Sequence, residues 1–159
     1  MKALLLAAFA LWAPLSWSAP PTAPRPFHAD SLASIRAEHA GRPFVLALWS
    51  LHCAPCHDEL ILWASLRQRY PRVALVLVNT DAPDEHAAAT TALARLGLPA
   101  GWAFDDEMPE RLRYSIDPGW RGELPRHYFH DAAHHREARS GKPEPAWLEG
   151  WLRRHSPRR

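Results

Sequence analysis

Apolar residues come in short clusters along the chain, and their spacing changes from one cluster to the next. "PFVLALWS" (43–50) is almost unbroken, as expected of a strand buried on both faces, and "VALVLVN" (73–79) repeats that pattern. Between them, Leu60, Trp63, Leu66 and Tyr70 recur at helical spacing. Upstream, "DSLASIRAEHAG" (30–41) opens on the capping residue Asp30, sets Leu32, Ile35 and His39 on one face and closes at a glycine, which predicts a helix. Asp81 is expected to cap another helix running to Leu96, closed by Gly97.

Shorter elements follow. "GWAFD" (101–105) reads as a short strand and "EMPERLRYSI" (107–116) as a short helix. After the turn-rich "DPGWRGELP", the segments "HYFHD" and "HREARSG" predict two antiparallel strands around Asp131. The last helix, 145–155, turns Trp147, Leu148, Trp151 and Leu152 inward. Strands alternating with helices, then a hairpin and a helix, predict an α/β domain with a central mixed sheet covered on both faces. The length of 159 residues suits one domain, here 27–155, with a short tail at 156–159.

Composition narrows the function. The 19 Lys and Arg are interspersed with 17 Asp and Glu, without the concentrated basic block of a nucleic-acid binder. The N-terminus reads as an export signal: Lys2, a short apolar stretch (3–15), then small residues at Ser16 and Ser18. Cleavage after Ser18 is expected. The alternative is an uncleaved anchor, but the apolar stretch 3–19 contains Pro14 and falls short of the ~20 residues that span a bilayer. "APPTAPRP" (19–26) reads as an extended linker. The expected compartment is extracytoplasmic, most simply a bacterial periplasm.

Export changes how "WSLHCAPCHDEL" (49–60) is read, since it holds both of the chain's cysteines. A disulfide between residues so close constrains the unfolded chain little, so a structural staple explains the pair poorly. A buried strand that ends in Cys-x-x-Cys and opens a helix suits thiol chemistry better. At the helix N-terminus the free N–H groups and the macrodipole favour a thiolate at Cys53, whereas Cys56, one turn in, is shielded. Pro55 is tolerated there because its missing N–H has no helical partner to lose. Zinc is the competing reading, with His52, His57 or the histidines of "HYFHDAAHH" (His127, His130, His134, His135) completing a ligand set. Those four are otherwise expected to be exposed hairpin residues.

The segment "VLALWSLHCAPCHDEL" resembles the active-site stretch of thioredoxin-like proteins, especially the exported TlpA-like thiol–disulfide oxidoreductases; Trp49 stands four residues before the first cysteine. "YSI" (114–116) and "ELPRHYFHD" (123–131) resemble the family's proline-loop region, and the likeness covers roughly 27–155. The resemblance implies a thioredoxin-like fold, with Cys53 as nucleophile, Cys56 as resolving thiol and a redox-active Cys53–Cys56 disulfide. It makes Pro125 a cis-proline facing that disulfide, with the Leu124 backbone pairing to an extended substrate segment. Trp49, His52, Pro55, Leu124, Pro125 and Arg126 would line the docking surface. Trp49, Trp102 and Trp120 have a core role as an equal alternative.

Three departures from the family stand out. The buried aspartate of thioredoxins is replaced by Ala47, so proton transfer needs another group. Glu59, three residues after Cys56 and on the same helical face, matches a glutamate of cytochrome c maturation members and is assigned acid/base work on Cys56. His52 replaces an aromatic residue, and if protonated it favours the Cys53 thiolate. Arg126 replaces threonine, and either attracts acidic partners, lowers a thiol pKa or simply sits on the surface.

Ala54–Pro55 and Leu124 look like the reducing branch, while His52 pushes toward oxidation. Implied partners are protein thiols and disulfides, a membrane electron donor, and apocytochrome c; no cofactor is implied. The alternatives are a copper or zinc module built on Cys53, Cys56 and nearby histidines, a disulfide-forming oxidant, or an idle binding domain of the same fold.

Overall fold

A computed structural model describes residues 23–105 and 108–156. The expected signal (1–18) and most of the linker lie outside the described residues. Strands β1 (Arg25–Phe27), β2 (Phe44–Trp49), β3 (Ala74–Asn79), β4 (Trp102–Phe104), β5 (Arg126–His130) and β6 (Arg136–Ser140) form one sheet in the order β1-β4-β3-β2-β5-β6. The first four pair in parallel, and β5 joins β2 antiparallel, with β6 completing the hairpin. The mixed sheet is thus as the pattern predicts.

β2 is central, and all six of its residues are buried. Its alternation divides the core. Phe44, Leu46 and Leu48 point to one face, where they meet Val76, Val78 and Tyr128 with Ile35 of helix α1 (Ser31–Glu38) and Leu112 and Ile116 of α4 (Pro109–Ile116). Val45, Ala47 and Trp49 point to the other. There lie α2 (Ala54–Arg69), α3 (His86–Arg95) and α5 (Pro145–His155), through Leu60, Trp63 and Leu66, then Ala89 and Leu93, then Leu148, Trp151 and Leu152. The three large apolar residues of α2 and of α5, at roughly 1.5–3 kcal/mol each when fully buried, anchor those helices far more strongly than intrinsic propensity does, and α3 is held by Leu93 with Ala89.

Three expectations change. Asp81 does not cap a helix. It is 7% exposed and its carboxylate accepts hydrogen bonds from the Ser50 hydroxyl, the Leu51 N–H and the Asn79 amide, so it ties the ends of β2 and β3 together. A 3-10 turn, Pro83–Glu85, intervenes before α3 begins. Second, the edge strand β1 takes in Arg25 and Pro26, which were read as linker. Pro26 is tolerable on an edge, and Arg25 is held by a bidentate contact to Glu38 (2.9 and 2.6 Å) while stacking 3.8 Å over Trp102.

Third, His127 and His130 are not exposed hairpin residues: each is 1% exposed. Both faces of β5 are covered: Glu59 and Trp63 of α2 lie against His127, and Phe44 and His134 against His130, so no polar alternation survives. Gly101 shows how tightly β4 enters the sheet: its φ is +70°, and a Cβ there would fall 2.6 Å from the Leu77 carbonyl oxygen.

Candidate active site

The strand β2 ends at Trp49 and delivers the chain to α2 through a short loop. Ser50 accepts from Cys53 N–H through its carbonyl (3.3 Å), and Ser50 Oγ accepts from His52 N–H (3.0 Å). Cys53 is the N-cap of α2 and Pro55 lies in its first turn. Cys53 and Cys56 are joined in a disulfide with Cα atoms 5.2 Å apart. Cys53 is half-buried, while Cys56 is 1% exposed and packs with Trp49, Leu60 and Leu77. A half-accessible sulfur bonded to a shielded one is the asymmetry that directs an incoming thiolate to one end of the bond.

The Leu124–Pro125 peptide is cis. Because Arg126 pairs with Leu48 in the β2–β5 ladder, the proline loop arrives beside the end of β2, where the cysteine loop leaves. Leu124 and Cys53 pack on the same hydrophobic cluster. The loop is pinned on both sides of Leu124: Trp120 Nε1 donates to the Glu123 carbonyl (2.9 Å) and Gly141 N–H donates to that of Pro125 (2.8 Å).

No family model matches the chain, and no curated protein matches it. Solved structures do. A secreted disulfide oxidoreductase of Mycobacterium tuberculosis, described as homologous to E. coli DsbE, superposes with a TM-score of 0.57 at 19% identity, over 73% of this chain and 84% of that one. A thioredoxin-family thiol:disulfide interchange protein of Chlorobium tepidum gives 0.59 at 16% identity, over 76% and 83%. A putative thiol:disulfide interchange protein DsbE of the same organism gives 0.57 at 22%, over 73% and 81%. The fold is thioredoxin-like.

Within this thioredoxin-like domain, the residues singled out from the sequence divide into those around the disulfide and those that face elsewhere. Trp49 is 2% exposed and lies below the disulfide, on one wall of a hollow of about 690 Å³ between α2 and α3, with Leu51, Leu60, Ile61, Ala88 and Leu96. Trp102 and Trp120 belong to the core on the opposite face of the sheet. Pro55 is exposed, at the rim.

His52 is exposed, and its Nε2 lies 2.6 Å from Glu85 Oε1. The hydrogen bond and the charge of Glu85 raise its pKa, so the imidazolium persists to higher pH beside Cys53. Its charge is balanced by the carboxylate that raises it.

Arg126 points away from the disulfide. Its Nη2 donates to Asp117 Oδ2 (2.9 Å) and its Nη1 to Ser140 Oγ (2.6 Å), with Glu123 at 3.6 Å and the Tyr128 ring 4.9 Å from the guanidinium carbon. Burial pushes Asp117 up, but the Gly119 N–H, the Tyr128 hydroxyl and Arg126 together hold it below its ordinary value. Burial raises Tyr128 to about 12, so it stays a neutral donor to Asp117 (3.1 Å). Arg126 thereby braces the strand that follows the proline loop.

Glu59 is buried at 3% exposure, and its Oε2 lies 2.9 Å from His127 Nε2. Asp58 beside it is exposed, so the two adjacent acids have opposite environments. His127 was missed as a partner of this site because only the β2–β5 register brings it there. The parity of "HYFH" does set His127 on the same face as Phe129, but that parity alone does not say which helix covers the face.

His52, Asp81 and Glu85 also bring three ligand-type atoms within 4.8 Å of one another. Both Asp81 oxygens already accept hydrogen bonds from the protein, which lowers their worth to a cation. Among the described residues no helix is long and apolar enough to cross a membrane.

Proposed function

We propose that the protein is an extracytoplasmic thiol–disulfide oxidoreductase acting on protein thiols and disulfides. The observation that carries this is the half-accessible Cys53, bonded to shielded Cys56 at the N-terminus of α2 and facing the cis Leu124–Pro125 loop. In reduced protein, Cys53 is the nucleophile, favoured as thiolate by the helix N-terminus. Its Sγ attacks the partner's disulfide, forming a mixed disulfide and releasing one partner thiolate. Cys56 Sγ then attacks Cys53 Sγ, with Glu59 accepting its proton, and the second partner thiolate leaves. The partner is reduced by two electrons and the Cys53–Cys56 pair is oxidised. His52, Pro55, Leu124 and Pro125 form the docking rim, with Trp49 buried beneath it and Arg126 bracing the strand that follows the proline loop.

The reducing direction is favoured. Glu85 offsets the charge of His52, which weakens the one feature that pushes toward an oxidant. Recharging then requires a membrane electron donor, and the disulfide of the apocytochrome c haem-binding cysteines is the substrate suggested by Glu59. Equilibration of the Cys53–Cys56 couple against dithiothreitol or glutathione buffers tests direction: a value near ~−270 mV supports a reductase, and one near ~−120 mV makes the protein an oxidant.

A metal-binding reading draws support from the His52, Asp81 and Glu85 grouping beside Cys53. Stoichiometric copper or zinc in reduced protein, without a reversible two-electron couple, would establish it in place of the oxidoreductase.

A further inference from the structure

The proton accepted from Cys56 must go to a group able to hold it in an apolar setting. Glu59 lies on α2 with its side chain turned into the domain, and the cross-strand partner of His127 on β2 is Ala47. That alanine occupies the position where thioredoxins carry a buried aspartate, and an imidazole stands opposite it, one strand over. Trp63 and Phe129 flank the imidazole, with ring centroids 6.1 and 5.9 Å away. A buried carboxylate in such surroundings needs a hydrogen-bond donor facing it, and His127 is that donor.

We propose that His127 is a positioning residue for the Cys56 step: by holding Glu59 Oε2 at 2.9 Å, it fixes the carboxyl group and leaves its other oxygen free to receive the proton of Cys56. Glu59 Oε1 and His127 Nδ1 are both buried with no hydrogen-bond partner, which leaves Oε1 open to that proton. The inference rests on the oxidoreductase reading above. The proton passes from Cys56 Sγ to Glu59 Oε1 as the Cys53–Cys56 bond forms and the bond from Cys53 to the partner breaks. The partner leaves as a thiolate and takes its own proton from water.

The groups facing this pair from each neighbouring element are few. α2 contributes Glu59 and Cys56. β6 contributes Arg139, the cross-strand neighbour of His127, whose guanidinium lies 3.8 Å over Trp147 and 2.5 Å from Glu137. α5 turns Trp147, Leu148, Trp151 and Leu152 to this face, and β2 turns Ala47, none of which titrates.

The test uses the reduced full-length chain and the aromatic disulfide 5,5′-dithiobis(2-nitrobenzoate). Attack by Cys53 releases one coloured thiolate, and resolution by Cys56 releases a second in a separate phase. In His127→Phe the first phase stays normal, while the second slows at least tenfold at pH 7 and recovers at pH 9.5, where water takes the thiol proton. His127→Gln places a side-chain N–H donor near the position of Nε2 and stays within threefold of the parent. Glu59→Gln behaves like His127→Phe, and the double variant is no slower than either alone, as expected for residues acting as one unit. A second phase slowed by the same factor at every pH, or left unchanged, overturns the proposal. So do independent effects of the two substitutions. If the parent protein shows no first phase, the oxidoreductase reading falls, and this inference with it. Near-ultraviolet circular dichroism, which reads the packed tryptophans, reports that each variant has folded.

Discussion

Ala47 and His127 face each other across the β2–β5 ladder, and the methyl group of the one leaves the room that the imidazole of the other fills. Side chains directly opposite in an antiparallel pair have Cβ atoms about 5 Å apart, so the sizes of the two positions are coupled. Ala47→Val adds volume against His127, Trp49 and Leu60 in a site with no slack. It is expected to cost about 1–3 kcal/mol, the usual penalty of overpacking, read by urea denaturation of oxidised protein. A loss below a few tenths would show that the imidazole moves aside freely.

Acid should weaken the domain through His130. This side chain is 1% exposed and stacks on Phe44 with ring centroids 4.3 Å apart. Burial, aided by Arg36, pushes its pKa down from 6.5 to about 4. The unfolded chain then binds a proton that the folded one refuses, so the stabilisation is complete above ~6.5 and is lost as pH falls toward 4. At ~1.4 kcal/mol per pH unit, the loss is at most about 3 kcal/mol. His39, also pushed down by burial, acts in the same direction. Unfolding free energies at pH 7 and 4.5 should differ less in His130→Phe than in the parent; an equal difference would assign the acid sensitivity elsewhere.

Arg126 is expected to matter for stability rather than for partner charge. Its guanidinium is 13% exposed and bonded to Asp117 and Ser140. Arg126→Ala removes the nearest charged donor of a carboxylate that is itself 14% exposed and keeps only the Gly119 N–H, the Tyr128 hydroxyl and Arg136 at 3.8 Å, at an expected cost of about 2 kcal/mol, within the range for hydrogen bonds to charged groups. Thermal denaturation checks the stability. Exchange rates with acidic and neutral peptide disulfides check the rest: both should change by the same factor, and a selective loss with the acidic peptide would make Arg126 a docking residue.

His52 and Glu85 make a prediction at the surface. Since the hydrogen bond to Glu85 is the largest cause of the raised His52 pKa, Glu85→Gln should bring the imidazole titration back toward its ordinary value. A ring-proton titration by NMR reads this directly. An unchanged midpoint would mean that the two side chains do not stay paired in solution.

Much of this protein is determined locally. The unbroken apolar runs of β2 and β3, the helical spacing of Leu60, Trp63 and Leu66, and the 145–155 helix specify their elements wherever the chain goes, because periodicity and burial on both faces need no distant partner. The strand-to-helix setting of Cys53 and Cys56 is equally local, since a helix N-terminus acts on the residues that form it.

Other features depend on distant residues. The sequence shows a histidine-rich hairpin that looks solvent-exposed, and only the tertiary packing of Glu59 and Trp63 over His127, and of Phe44 and His134 over His130, buries them. It shows Asp81 in a helix-capping position, and only the adjacent ends of β2 and β3 turn it into a tie between strands. Glu59 is legible as an inward candidate, but its partner lies 68 positions further along the chain and meets it because sheet register, a non-local quantity, sets which side chains share a face. The cysteine chemistry is therefore written in one short segment, while its protonic surroundings come from tertiary packing.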